Sequence, residues 1–371
     1  MLMRKTRLEI CAIFLLLFSC CFINMLSAQG TGDSVIHNLR KFRFYGVPVI
    51  SYTPETRTAF GIAGFSTFRL GKDVLHTHPS QVSIGYGYTQ NKQQLAYTPF
   101  TIFTNRNTYN FYGEIGYYKY SYYYYGIGTH EVPKELYGAD YPRIRITALR
   151  KWLPHYYAGL RYQYEHYSIT QTVPGGELAL GTIPGSTGSI SSGLGIVQIV
   201  DRRDTILFPT KGYWMEIAAV FNTKALGGSA DFNQFSYDFS FYNRVRKNII
   251  WANEVYTKLL TGNAPFSQYA LLGGNRKMRG YYEGRYRDKH SLILQSEFRA
   301  LVYRKIGVVA FGSAGFLGGD NEYVRLNDAK ISYGGGLRYI INKNDHLNLR
   351  IDYAFDNKGK GNFYFTFGEA F

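Results

Sequence analysis

Hydrophobic and polar residues alternate one by one along several stretches of this chain. In HLNLRIDYAF (346–355) leucine, isoleucine and aromatic residues occupy one face, while Asn348, Arg350 and Asp352 occupy the other. QFSYDFSFY (234–242) and AGLRYQYEH (158–166) repeat this pattern. A period of two is that of a β-strand with one apolar and one polar face.

The alternating segments are about ten residues long or more, which is the length that a tilted strand needs to cross a bilayer. Strands of soluble sandwiches are usually nearer five or six residues. Tyrosines cluster at segment ends, as in YYKYSYYYYG (117–126), where the aromatic girdle of a membrane barrel would lie. The pattern predicts strands near 46–53, 58–70, 79–90, 93–104, 108–119, 141–153, 155–168, 191–203, 211–222, 232–244, 248–259, 290–302, 305–316, 331–342, 346–356 and 362–371.

This count predicts an all-β fold, a transmembrane antiparallel β-barrel of about 16 strands over residues 45–371, because bacterial outer-membrane barrels have even strand numbers. With both ends periplasmic, the long connections near 120–140, 169–190, 260–289 and 317–330 are external, and the turns at His155, Lys247 and 343–345 are short and periplasmic. An arginine on the lipid face costs about 2–4 kcal/mol at mid-membrane. We therefore expect a lumen lined by Arg161, Arg299, Arg350, Glu165, Glu297 and Asp352.

The N-terminal segment has the pattern of a secretory signal. Arg4, Lys5 and Arg7 precede an apolar run, and Leu26-Ser27-Ala28 supplies small residues for cleavage. We expect a signal peptide at 1–28 and a short periplasmic segment at 29–44. A retained membrane anchor and a lipoprotein acylated at Cys20 or Cys21 are the alternatives.

Charge and cysteine content narrow the possible partners. All three cysteines lie within 1–28, so we expect no disulfide framework beyond it. The chain has 42 basic and 26 acidic residues, of which three basic residues and one acidic residue lie within 1–28. The remaining chain therefore has a net charge of about +14. In an exported protein this excess suits outer-membrane lipids and lipopolysaccharide rather than nucleic acid.

One segment, GGNRKMRGYYEGRYRDKH (273–290), combines glycines with many basic side chains. It lies between the eleventh and twelfth predicted strands, where a barrel of this size has room for an inserted loop. An arginine buried there needs a carboxylate, because a buried charge without a partner costs about 3–5 kcal/mol.

Met278-Arg279-Gly280-Tyr281 in this segment resembles the [VIL]-R-G-[FY] signature of the outer-membrane assembly factor superfamily, which includes BamA, TamA and the two-partner secretion transporters. The family has sixteen strands and carries this signature in its sixth external loop, between strands eleven and twelve. VPVISYTPET (47–56), DRRDTILFPTKG (201–212), GGGLRY (334–339) and FGEAF (367–371) also resemble family segments.

The resemblance implies specific roles for several residues. Arg279 would point into the lumen and pair with Glu297, which lies in the strand-twelve pattern QSEF (295–298). The strand-thirteen pattern F-x-D-x-G has Ser313 where the family has aspartate, which would weaken one anchor of the loop. The aromatic residues Phe363, Phe365, Phe367 and Phe371 resemble the C-terminal signal by which barrels are recognised for assembly.

The resemblance also implies a role in insertion or translocation of outer-membrane proteins in a Gram-negative bacterium. Family members carry periplasmic POTRA domains, and 29–44 is too short for one, so we expect a barrel-only accessory that works with other outer-membrane assembly or periplasmic proteins. The alternatives are a structural or pore-forming barrel and an outer-membrane hydrolase.

We expect no enzyme activity, no cofactor and no metal. GFSTF (64–68) lacks the second glycine of a nucleophile elbow, and no phosphate-binding G-x-x-x-x-G-K-[ST] motif is present. His76 and His78 have no third ligand nearby and are expected to be solvated.

Overall fold

The computed structural model describes residues 42–129, 132–206, 208–342 and 347–371. Sixteen of its strands close a single antiparallel barrel, in which each strand pairs with its neighbours in sequence order. The barrel strands are β1 (Arg43–Thr53), β2 (Arg57–Phe68), β3 (Ser80–Thr89), β4 (Gln94–Phe103), β5 (Tyr109–Tyr124), β6 (Glu135–Leu153), β7 (Tyr156–Gln171), β8 (Ser189–Asp201), β9 (Gly212–Asn222), β10 (Phe232–Arg246), β11 (Ile249–Gly262), β14 (His290–Tyr303), β15 (Ile306–Gly318), β16 (Lys330–Asn342), β17 (Leu347–Asp356) and β18 (Gly361–Phe367).

Two further strands, β12 (Ala270–Leu272) and β13 (Tyr286–Asp288), form a small hairpin sheet in the connection from β11 to β14. Short 3-10 turns occur at Asn105–Asn107, Lys224–Leu226, Phe266–Gln268 and Leu326–Asp328. No helix in the described ranges is long and apolar enough to cross a membrane.

The predicted fold class is confirmed, and each predicted strand overlaps an observed one. The predicted signal peptide at 1–28 and most of the segment at 29–44 lie outside the described residues. Strand β1 begins at Arg43, two residues before the predicted start of the barrel.

Register separates the two faces of the wall, because directly paired residues of antiparallel strands point to the same side. Leu160 of β7 pairs with Ile196 of β8, and both side chains are more than half exposed on the outside. The adjacent Arg161 is buried and faces the lumen. The alternation in the sequence therefore becomes an apolar outer surface and a polar, charged lumen.

The tyrosine-rich segment differs from its prediction as an outer girdle. β5 and β6 are longer than predicted, because their pairing continues as far as Tyr124 with Glu135. Tyr117 is exposed, whereas the rings of Tyr123 and Tyr125 contact Tyr282 of the connection from β11 to β14. Tyr118 and Tyr124 belong to a buried, mainly aromatic cluster, which also contains Tyr137, Ala139, Tyr141, Tyr167, Leu178 and Phe266.

The barrel closes between its first and last strands, and we call this junction the seam. Within the described residues β1 and β18 pair at one position, Tyr52 with Phe365, whereas β1 and β2 pair from Arg43–Thr67 to Thr53–Arg57. β18 has only seven residues and ends at Phe367, so the prediction of a strand reaching residue 371 was wrong. Gly368 has φ of 75°, and the chain turns inward there.

Candidate functional site

The connection from β11 to β14 folds into the barrel, and we call residues 273–289 the lumenal loop. Met278 and Tyr281 are buried in an apolar cluster with Leu272, Tyr286, Ile293 and Leu317. Gly280 has φ of 115°, and a Cβ atom there would lie 2.6 Å from the carbonyl oxygen of Phe355. Glycine is therefore required at this position by both its backbone conformation and its closeness to the wall.

The Arg279 side chain is almost completely buried, with about 1% exposure. Its Nη2 lies 2.5 Å from Glu297 Oε2 on β14, and its Nη1 lies 2.6 Å from Asp352 Oδ2 on β17. Its guanidinium carbon lies 3.5 Å from the centroid of the Phe311 ring, so a cation–π contact adds to the two ion pairs. The structure thus brings Arg279 and Glu297 together, as the sequence predicts, and adds Asp352.

The two carboxylates that hold Arg279 also bind other arginines. Glu297 Oε1 lies 2.6 Å from Arg299 Nε, and Asp352 Oδ1 lies 2.6 Å from Arg338 Nη1. Both oxygens of each carboxylate are therefore paired with an arginine. Buried charges are tolerated when they are paired in this way. We call this cluster, together with Glu369 and Arg350, the motif network.

Ser313 occupies the place of the family aspartate on β15 and makes a neutral contact. Its hydroxyl donates to Gln295 Oε1 at 3.2 Å, and the same oxygen accepts from Met278 N at 2.8 Å. Gln295 Nε2 donates to Glu254 Oε2 at 2.6 Å. The wall therefore holds the motif backbone through an amide, while the second carboxylate for Arg279 comes from Asp352 on β17.

The motif is also attached to β18, on one side of the seam. Gly280 N donates to Tyr364 Oη at 2.9 Å, and Asn362 Nδ2 donates to the Gly280 carbonyl at 2.5 Å. Tyr281 Oη donates to the carbonyl of Ile331 at 2.9 Å. The motif thus binds β18 through its backbone and binds β16 through the Tyr281 side chain.

On the other side of the seam, the lumenal loop reaches the turn between β1 and β2. Glu283 N donates to Glu55 Oε1 at 2.7 Å, and Glu55 is about 4% exposed. Burial is the largest influence on this carboxyl and raises the pKa of Glu55 above its usual range. No motif in the sequence marks Glu55, because its role depends on a loop that is distant in the chain.

After β18, the chain continues into the lumen. Glu369 Oε2 lies 2.9 Å from Arg338 Nε, and Arg276 Nε of the lumenal loop donates to the Ala370 carbonyl at 3.2 Å. The Phe371 ring lies 5.4 Å from the Arg299 guanidinium carbon. Phe363, Phe365 and Phe367 belong to β18, whereas Phe371 departs from their alternation and lies against an inward-facing arginine.

The opposite wall of the lumen has a different character. A cavity of about 480 Å³ lies against β3 to β7 and β9, lined by Arg143, Arg145, Arg161, Glu114 and Glu216. No segment of the lumenal loop is among the residues that line it. We call this surface the open wall.

The histidines considered as metal ligands lie in the turn between β2 and β3. His76 Nδ1 lies 2.9 Å from Asp73 Oδ1, at an exposed site where Arg106 also contacts Asp73. His78 packs against the ring of Phe103. In the described part of the chain, no group of three or more histidine, cysteine or acidic residues could hold a metal ion.

Comparison with known proteins gives a family and a set of similar folds. The Omp85 superfamily domain matches residues 56–371. The barrel is similar to BamA from Haemophilus ducreyi lacking POTRA domains 1–3, with a TM-score of 0.58 and 14% identity over 88% of this chain and 70% of that one.

It is also similar to CdiB from Escherichia coli, with a TM-score of 0.57 and 11% identity over 88% of this chain and 62% of that one. For CdiB from Acinetobacter baumannii the TM-score is 0.55, with 10% identity over 89% of this chain and 60% of that one. This chain thus spans about three fifths of each CdiB structure. No curated protein matches it in sequence. Since the family domain covers most of its length, the chain belongs to the Omp85 superfamily and is an outer-membrane β-barrel of that type.

Proposed function

We propose that this barrel takes part in the insertion or translocation of outer-membrane proteins, as an accessory that works with other assembly or periplasmic proteins and catalyses no bond chemistry. The observation that carries the proposal is the seam, where one residue pair joins β1 and β18 in the part of the chain that the structure describes. The apolar outer face of the barrel would contact membrane lipid, and the net positive charge of the chain suits binding to lipopolysaccharide.

The seam offers an unpaired strand edge. With Tyr52 opposite Phe365, the register would place Val49 opposite Gly368, where the chain has left the sheet. The β1 residues before Ile50 therefore have no β18 partner, and their free edge can pair with an incoming strand. Addition of a strand to such an edge is a common mode of peptide recognition.

The lumenal loop would brace this seam unequally. It holds the β14–β18 wall through the charged motif network, whereas among the described residues one hydrogen bond, from Glu283 N to Glu55, joins it to the turn after β1. A hydrogen bond contributes at most about 3 kcal/mol, whereas removing one partner of a buried ion pair costs about 3–5 kcal/mol. Opening would thus separate β1 from the loop while the loop stays on β18.

Depletion of the protein tests the function directly. We expect lower abundance of other outer-membrane barrels in the depleted strain, measured by quantitative proteomics of isolated outer membranes. An unchanged outer-membrane proteome would contradict the role.

A disulfide across the seam tests the mechanism. Tyr52→Cys with Phe365→Cys joins directly paired positions, and the matched control Phe235→Cys with Leu259→Cys joins β10 to β11. Only the seam disulfide should prevent the protein from restoring barrel levels in depleted cells, with activity recovered on reduction. Equal activity of the two oxidised proteins would rule out seam opening.

A pore is the second candidate function, and the water-accessible cavity of the open wall favours it. Planar-bilayer conductance well above that of a plugged barrel, in a protein whose depletion leaves other barrels unchanged, would support the pore. A hydrolase has less support, because the described residues contain no hydrogen-bonded serine–histidine–carboxylate set; His166 reaches only Ser168, at 3.4 Å on an exposed surface.

A further inference from the structure

The open wall gathers three arginines on its inner face. Arg143 and Arg145 are two residues apart on β6, and Arg161 on β7 lies opposite Thr147, the next inward-facing residue of β6. All three side chains line the cavity of about 480 Å³, a volume in the range of small-molecule sites.

Two of these arginines are neutralised within the wall. Arg143 Nη2 lies 2.7 Å from Glu165 Oε2. Arg161 Nη2 lies 2.9 Å from Glu216 Oε1, and its Nε donates to Thr147 Oγ1 at 2.9 Å. Both guanidiniums are thereby held in fixed positions.

Arg145, between them, has a different environment. Within the described ranges no hydrogen bond or ion pair joins its guanidinium to another residue, and its side chain is exposed to the cavity. Its cross-strand neighbours Glu114 and Gln163 bind elsewhere: Glu114 Oε1 accepts from Tyr118 Oη at 2.5 Å, and Gln163 Nε2 donates to Asn222 Oδ1 at 3.1 Å. All five N–H donors of Arg145 are available to a ligand.

We propose that the open wall binds a small soluble oxyanion, of the phosphate type, at Arg145. The planar guanidinium suits two-point binding of such a group. Gln81 and Ser83 line the same cavity and supply an amide and a hydroxyl. Arg143 and Arg161 flank the site, and because each is paired with a carboxylate, Arg145 is the arginine of the three that is available to the ligand.

The site is accessible to a solute from the lumen rather than to a lipid from the bilayer. The cavity lies on the inner faces of the strands, whereas the outer faces carry apolar residues such as Ile115 and Ile146 on β5 and β6. A headgroup would have to cross this wall, whereas a free oxyanion would enter through lumenal water. The proposal is independent of the role in protein insertion.

Pyrophosphate, titrated calorimetrically into the full chain folded in zwitterionic detergent at low salt, tests the site. We expect saturable binding that Arg145→Gln weakens about tenfold or more, because charge-assisted hydrogen bonds are lost. Arg145→Lys should restore part of the affinity through charge alone. The control Arg246→Gln, at an exposed position on β10, should leave binding unchanged.

Heat-dependent gel mobility will show that each variant is folded, so that a loss of binding can be assigned to the site. Absence of saturable binding by the wild type, or equal affinity in Arg145→Gln, would overturn the proposal. Binding of short-chain phosphatidic acid without binding of pyrophosphate would also overturn it, by showing that the ligand is a lipid headgroup.

Discussion

Both walls of the lumen carry inward-facing arginines, but the surroundings of these arginines differ. On the wall formed by β14 to β18, which we call the motif wall, Arg279 of the lumenal loop is buried and meets two carboxylates. On the open wall, Arg145 is exposed to a cavity and meets none in the described residues. A charged side chain that is buried away from water needs an oppositely charged partner, whereas a charged side chain in contact with lumenal water does not.

The largest expected effect is the loss of the central charge on the motif wall. Arg279→Ala leaves Glu297 and Asp352 without their shared partner, and we expect the free energy of unfolding to fall by about 3–5 kcal/mol. Urea titration in detergent, followed by gel mobility, measures the change. The control Arg246→Ala should change it by less than about 0.5 kcal/mol. Equal stability of the two variants would show that the charge of Arg279 does not stabilise the barrel.

A second test separates backbone fit from charge on the motif wall. Gly280→Ala forces a side chain into a positive-φ position and against the Phe355 carbonyl, and should cost about 1–3 kcal/mol or more. Gly227→Ala, also at positive φ but with open space around its Cβ, is the matched control and should cost less. Urea titration of both variants in detergent measures the two losses of stability. Similar losses would mean that backbone conformation alone matters.

The corresponding change on the open wall should be milder. Arg143→Gln removes an ion pair whose arginine side chain is about one third exposed, and we expect a loss of about 1 kcal/mol or less. Urea titration of Arg143→Gln and of Arg279→Gln compares the stability lost on the open wall with that lost at the buried motif network. A loss as large as that of Arg279→Gln would remove the distinction.

The smallest expected effect is a pH dependence at the seam. The folded state raises the pKa of Glu55, so this carboxyl contributes stability at acidic pH that is lost as pH rises through its folded-state pKa. Glu55→Gln keeps an oxygen to accept from Glu283 N and should reduce this dependence, leaving the part that belongs to Glu283, whose pKa burial raises to about 7. Hydrogen exchange of the β1–β2 turn between pH 5 and 8 measures it. Glu322→Gln, at an exposed external position, should retain the wild-type profile.

Alternation and spacing predicted the barrel, because a two-residue period fixes which face each side chain occupies. The same pattern placed Arg161, Glu297 and Asp352 inside. It could not pair Asp352 with Arg279, since that contact depends on how far the lumenal loop descends between β14 and β17. Motif resemblance indicated Glu297 alone.

Other differences between the sequence predictions and the structure have similar physical causes. The tyrosine content of 117–126 is typical of an aromatic girdle. The register of the strands is needed to show that some of these rings face the lumen. Phe371 continues the aromatic alternation in the sequence, but a positive φ at Gly368 breaks the strand first. Glu55 has no local signal, because its partner Glu283 is 228 residues away.

The lumenal loop also constrains the order in which this chain can fold. Its contacts span increasing sequence separations, from 18 residues for Arg279–Glu297 to 73 for Arg279–Asp352 and 228 for Glu283–Glu55. Since the entropy cost of closure grows with the length of the intervening chain, the loop seats first on β14, then on β17, and reaches β1 last. We therefore expect closure of the ring between β1 and β18 to come last, after the loop is in place.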